Sequence, residues 1–365
     1  MMIFYAFVAL FITYYLINYL YSRYWDYKLS AEVILPKEQV FEGSKTSITQ
    51  VVTNNKFLPL PTLETRFVLD KGLQYIGDTK NTAITDKLYR RDVFSLGIKQ
   101  KVSRTFDIIC TKRGYYTLSS VDLIAYDVFL NNKIIAKNTF HKYFYVFPRR
   151  VESSKIALPF RQIQGDLAVR KLLIDDPFCF AGIRDYTPTD TLNSINWKAS
   201  AKSGDLVVNT YDSTSKQKVL VFLDTYDNDT TKKEWLNEEA IRVASSLIER
   251  LLHIDCDVTF VSNAIDVVTN KNIELYNLNG LLTNTVRQHL SRITLGAEKP
   301  LDDYLDMQLD STYTVIISKN LDVKEKIESN FENFYWILPY SDFIRPLSMP
   351  KDKLCLWNAD HKDVE

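Results

Sequence analysis

At 365 residues the chain exceeds the size at which one hydrophobic core keeps growing, so more than one domain is expected. Its 45 Lys and Arg balance 45 Asp and Glu, which leaves no overall field to steer a nucleic acid onto it. The 46% hydrophobic and 25% charged fractions exclude a disordered chain.

No charged side chain occurs from Met1 to Ser22, and Ile3 to Tyr21 is mostly Phe, Leu, Ile, Val, Ala and Tyr. About twenty such residues in a helix match a hydrocarbon core of about 30 Å. There is no basic stretch ahead of them, and Tyr19-Leu20-Tyr21-Ser22-Arg23 offers no small-x-small cleavage pattern. A transmembrane anchor over residues 1–25 is therefore expected rather than a cleaved signal peptide. Tyr14, Tyr15, Tyr19, Tyr21, Tyr24 and Trp25 crowd its far end, where amphipathic rings suit the headgroup layer. Arg23 and Lys28 follow, with nothing basic in front, so the positive-inside rule predicts a single-pass protein of the cell membrane with a cytoplasmic body.

Residues 26–150 read as an immunoglobulin-like β-sandwich of about seven strands. Lys45 to Asn54, Thr62 to Leu69, Lys99 to Ile109 and Tyr115 to Ala125 nearly alternate apolar and polar residues, as strands with one buried face do. Asn54-Asn55, Pro59-Leu60-Pro61 and Lys112-Arg113-Gly114-Tyr115 are loop or turn signals. Cys110, Cys179, Cys256 and Cys355 are scattered without a CxxC pair, which predicts reduced thiols rather than a zinc site or a disulfide framework.

From Lys218 strand and helix alternate, the pattern of a doubly wound α/β domain over residues 218–345, with a tail at 346–365. Lys218 to Asp224 is an apolar strand of the kind buried on both faces. Lys232 to His253 is a helix with Leu236, Ala240, Val243, Leu247 and Leu251 on one side. Strands at Asp257 to Ser262, Tyr313 to Ser318 and Phe334 to Pro339 alternate with helices around Val286 and Ile327. Ligands of such sheets bind beyond the carboxyl ends of the strands. Asp224-Thr225-Tyr226-Asp227-Asn228 stands there and resembles, in degenerate form, the Asp-x-Ser-x-Ser metal motif of von Willebrand factor A-like domains. Asp224 and Asn228 are the candidate Mg²⁺ ligands, with Thr283 or Thr285 as a further hydroxyl. The phenol of Tyr226 does not suit a cation that takes compact oxygens at about 2.0–2.1 Å. A structural Asp224 capping the strand-to-helix turn is the alternative, and no cofactor is expected.

The most specific stretch runs Gly182-Ile183-Arg184-Asp185-Tyr186-Thr187-Pro188-Thr189-Asp190, then Ile195-Asn196-Trp197-Lys198-Ala199-Ser200-Ala201-Lys202, then Gly204-Asp205-Leu206. It resembles the signature of domain-of-unknown-function family fifty-eight. This chain departs from that pattern at Asn193 and Asn209, where members carry basic residues, and in having one membrane helix rather than two. The resemblance implies a bacterial or archaeal membrane-associated protein without enzymatic activity, working with a MoxR-type AAA+ ATPase. Residues 151–217 are then a signature segment bridging the two domains. Arg184, Tyr186, Asp190, Trp197, Lys198, Ser200 and Lys202 form either a partner-binding surface or an internal brace. In the second case Arg184 pairs with Asp190 and Trp197 packs onto the sheet.

The sequence contains no HExxH, GxSxG, P-loop or Rossmann glycine pattern, and its four histidines are unpaired. The expectation is a non-catalytic, membrane-anchored protein-binding scaffold with no small-molecule substrate. The alternative is an extracellular adhesion or receptor-like protein.

Overall fold

The computed structural model describes residues 2–77, 82–84, 87–126, 133–173, 180–211, 216–227, 234–276, 278, 283–297, 299–306, 311, 313–341, 350 and 352–359. Two units divide the chain, Met1–Arg149 and Arg150–Glu365.

The first unit begins with helix α1 (Met2–Tyr24), of which Phe4–Tyr24 is long and apolar enough to cross a membrane. Ten strands follow: β1 (Leu29–Ile34), β2 (Gln39–Phe41), β3 (Lys45–Asn54), β4 (Leu60–Leu69), β5 (Leu73–Tyr75), β6 (Thr82–Ile84), β7 (Leu88–Leu96), β8 (Lys101–Cys110), β9 (Gly114–Tyr126) and β10 (Lys133–Phe147). They form a four-stranded sheet, β1-β3-β8-β5, and a six-stranded sheet, β2-β10-β9-β4-β7-β6. Inward-facing residues of both sheets, such as Ile48, Phe67, Phe94, Ile108 and Phe144, share one core, as alternation along each strand requires. The expected seven strands fall short because β2, β5 and β6 are three residues each, too brief to show a period of two. Strand β4 also starts earlier than expected, at Leu60: Pro61 has no N–H to donate, and the pairing with β7 shifts register between Leu60 and Leu63.

Tyr21 and Trp25, at the end of α1, are buried in the same core as the strands. Helix α1 is therefore continuous with the sandwich and has no linker.

The second unit contains α2 (Ser153–Leu173), β11 (Phe180–Asp185), a 3₁₀ turn (Leu192–Ser194), α3 (Trp197–Ser203), β12 (Val207–Tyr211), β13 (Lys218–Leu223), α4 (Glu234–His253), β14 (Asp257–Ile265), β15 (Asn272–Leu275), α5 (Thr283–Arg292), α6 (Asp302–Leu305), β16 (Tyr313–Ile317), α7 (Lys324–Asn330), β17 (Phe334–Tyr340) and β18 (Leu354–Asn358). Its six-stranded sheet has the order β15-β14-β13-β16-β17-β18, the Rossmann-like order in which the first strand is central and the chain winds outward both ways. Strand β15 is antiparallel and the rest are parallel. Val219, Val221 and Leu223 of β13 enter the core under α2, α4 and α5, whereas Leu220 and Phe222 enter the core under α6 and α7. Burial on both faces explains the unbroken apolar run.

Two expected boundaries are corrected. The segment 151–217 is not all bridge: Ile156, Ile163 and Leu167 of α2 belong to the α/β core, and the Tyr313 hydroxyl donates to Asp166 at 2.6 Å. An internal Pro159 masked that helix in the sequence. The expected tail 346–365 contributes β18, which pairs parallel with β17 and buries Trp357. Four apolar residues, Leu354-Cys355-Leu356-Trp357, between polar neighbours are a weak signal until a sheet edge is there to receive them.

Candidate functional site

The chain reverses direction across the sheet between β13 and β16, and the loops leaving these two strands line the crevice where such folds take ligands. Asp224 follows β13 there, 1% exposed. Its Oδ1 accepts from the Tyr226 N–H at 3.0 Å and the Asn263 amide at 2.7 Å. Its Oδ2 accepts from the Ser318 hydroxyl at 2.7 Å and the Asn320 amide at 2.8 Å. The amide orientations are determined by further partners, because Asn263 Oδ1 accepts the Thr225 N–H at 3.0 Å and Asn320 Nδ2 also donates to Tyr226 O at 3.0 Å. The Trp336 indole N–H donates to Ser318 O at 3.1 Å and holds that turn.

Beside this node Lys319 pairs with Asp227, both side chains almost fully buried. The crevice is covered: Ala297 N donates to Thr225 O at 3.3 Å, and Lys299 O accepts from Asn263 at 3.1 Å.

Mg²⁺ requires several oxygen lone pairs aimed at one point. Here the lone pairs of both Asp224 oxygens receive N–H or O–H donors, and the charge of Asp227 is met by an ammonium. The residues present do not fit a metal on Asp224, and the arrangement matches the capping alternative. Asn228 lies outside the described residues. Thr283 and Thr285 stand on α5 and give Asp224 no hydrogen bond. Among the described residues no group of three His, Cys, Asp or Glu is placed to hold a metal.

The signature residues form a separate module, an antiparallel β11–β12 pair joined by the 3₁₀ turn and α3. Arg184 donates to both Asp190 oxygens, at 2.7 and 2.6 Å, and Asp190 also accepts the Thr187 N–H at 2.9 Å and hydroxyl at 2.8 Å. The Arg184 guanidinium and then the Thr187 N–H hold the Asp190 carboxyl well below its ordinary range. Asn196 caps α3 by accepting the Ala199 N–H at 3.0 Å, and Gly204 ends it in the left-handed conformation at φ +84°. Ser200 is buried, and its hydroxyl accepts the Val207 N–H at 3.0 Å, pinning α3 to β12. Asn209 accepts from Asn196 at 2.7 Å, a neutral bond. Tyr186 is half-buried, its N–H bonded to Leu206 O.

Trp197 does not pack onto the sheet. It is 65% exposed, and Lys198, Lys202, Ile183, Leu192 and Leu206 are exposed with it. Of the cysteines, Cys110 and Cys256 are buried free thiols and Cys355 is a half-buried one, while Cys179 lies outside the described residues. Asn263, Lys319 and Asn320 are the residues sequence reading missed. Lys319 and Asn320 stand two and three residues past the end of the buried strand β16, and that position was the available signal.

No family model matches this chain, and no curated protein is significantly similar to it. Among solved structures, the CARDB domain of the PF1109 protein from Pyrococcus furiosus is 19% identical over 30% of this chain and 90% of its own, with a TM-score of 0.19. A non-cellulosomal cohesin from Archaeoglobus fulgidus is 14% identical over 31% and 90%, with a TM-score of 0.20. BslA, a bacterial hydrophobin, is 15% identical over 32% and 93%, also at 0.20. Likenesses at this level carry no argument about function.

Proposed function

We propose that this chain is a non-catalytic, membrane-anchored scaffold that binds a partner ATPase of the MoxR-type AAA+ class through its C-terminal unit. The observation that carries the reading is the exposure of Trp197 beside Lys198 and Lys202 on a module whose other signature residues are engaged internally. A large aromatic held out on a braced surface loses little entropy on binding and makes an effective interface anchor.

The α/β unit is of the von Willebrand factor A-like type, a reading supported by its strand order and by Asp224 at the carboxyl end of the central strand. A structural rather than catalytic Asp224 is supported by its four hydrogen bonds and its burial. A body facing the cytoplasm is supported by Arg23 in the last turn of the helix and Lys28 shortly after its end.

The test is a pull-down of the tagged, detergent-solubilised protein from its native host, with and without ATP, beside Trp197→Ala. Enrichment of an AAA+ ATPase that Trp197→Ala abolishes, at an unchanged thermal midpoint, is expected. Recovery of surface proteins instead, together with digestion of the body by protease added to intact cells, supports the receptor-like alternative.

A further inference from the structure

Helix α1 runs into the sandwich without a spacer. Tyr27 N donates to Tyr24 O at 3.3 Å and Leu29 N to Asp26 O at 3.0 Å, so the chain turns once and enters β1. With Tyr21 and Trp25 seated in the sandwich core, the end of the sandwich from which the helix emerges keeps a set distance from the helix.

That end is made of three loops stapled to one another. Asn55 N donates to Lys28 O at 3.0 Å and Lys99 N to Lys56 O at 3.1 Å. The Asn54 amide bridges Leu58 O at 2.9 Å and Gly97 O at 2.8 Å. On this rigid base Phe57 is 73% exposed and Ile98 55% exposed, and Tyr24 and Tyr27 are exposed beside the helix. Exposed apolar side chains grouped at one end of a domain mark an interaction surface, as single scattered ones do not.

Two of them, Phe57 and Tyr27, are accompanied by a lysine. Lys99 Nζ lies 4.4 Å from the Phe57 ring centroid, and Lys28 Nζ lies 5.3 Å from that of Tyr27. Lys28 and Lys99 both hold left-handed backbone, at φ 50° and 49°, where glycine is the residue of low cost. A lysine in place of glycine at such a position points to a use for that side chain.

Lys56 lies between them. It is 7% exposed, and its Nζ has no hydrogen-bond partner. Burial pulls the ammonium down to about 8, with Asp26 opposing. An unmatched buried ammonium is costly, and an anionic oxygen within reach of its four-carbon stem relieves that cost.

We propose that this end of the sandwich, with Phe57 and Ile98 flanked by Lys28, Lys56 and Lys99, sits in the headgroup layer of the membrane and binds the phosphate of an anionic phospholipid. The inference rests on the reading of α1 as a membrane anchor. Aromatic and aliphatic tips enter the interface while lysines meet the negative surface, the combination that interfacial contacts use. The other end of the sandwich, around Lys71 between β4 and β5, lies a full strand length away and serves as the internal comparison.

The test places a photo-crosslinking benzoylphenylalanine at position 57, 98 or 71 of the full chain, in nanodiscs of phosphatidylcholine with or without phosphatidylserine. Several-fold more phospholipid adduct at 57 and 98 than at 71 is expected. A further rise is expected with phosphatidylserine, reduced by Lys56→Gln. Both sites tolerate substitution because their side chains face outward. Protein retained in the discs with no more adduct at 57 and 98 than at 71 overturns the proposal. Equal adduct in the two lipid compositions overturns its anionic part. Release of the protein from the discs overturns the anchor reading instead, and the two failures are thereby distinct.

Discussion

Asp224 and Asp190 each accept four hydrogen bonds, yet in opposite surroundings. Asp224 is sealed under the loop of Ala297 and Lys299, and its donors are neutral amides, a hydroxyl and a backbone N–H. Asp190 stands at the surface and is held by a guanidinium. Hydrogen-bond counts therefore say little about stability. Donors stranded in the interior recover nothing from water, whereas those at the surface are rehydrated at once.

The largest expected effect follows from removing the buried acceptor. Asp224→Ala leaves the amides of Asn263 and Asn320 and the Ser318 hydroxyl without their partner, at a cost of roughly 4 kcal/mol, measurable by urea denaturation. Lys319→Met keeps the stem but strands Asp227 in the same crevice and is expected to cost about 3 kcal/mol. A loss under about 1 kcal/mol in both variants breaks the comparison, because the crevice would then be admitting water.

The metal question sharpens the same contrast. With every Asp224 lone pair occupied, millimolar Mg²⁺ is expected to leave the thermal midpoint of the protein unchanged and EDTA to do the same. A rise with Mg²⁺ that Asp224→Ala abolishes would reinstate a working cation site.

The smallest effect belongs to the exposed clamp. Arg184→Ala is expected to leave the global midpoint in place while exposing Tyr186 to Asp190 to protease. The folded-state pKa of Asp190 lies below its ordinary 3.8, so its contribution is present above about pH 4 and is lost as pH falls through that value toward the folded one. Hydrogen exchange of the Thr187 amide, followed from neutral pH into the strongly acid range below pH 3, is expected to keep its protection down to about pH 4 and to lose it progressively below. Loss of protection near neutral pH would sink the account.

Much of the architecture was legible in the chain itself. An uncharged stretch of twenty-odd residues, alternation through the first half, and a solid apolar strand followed by amphipathic helices are local patterns, because each reports which faces of one element must leave water. The α3 segment was not read as a helix, although Asn196 and Gly204, which bound it, are the residue types that start and stop one.

Tertiary structure alone decided what faces what. The pattern of β13 located Asp224 at a strand end, but whether a metal or a set of amides meets it depends on Asn263 and Asn320, 39 and 96 positions away. The burial of Trp25 and Tyr21, the exposure of Trp197, Phe57 and Ile98, and the recruitment of Leu354–Asn358 into the sheet follow the same rule. An aromatic or short apolar run states only that it favours leaving water. Its destination is set by surfaces that distant parts of the chain bring to it.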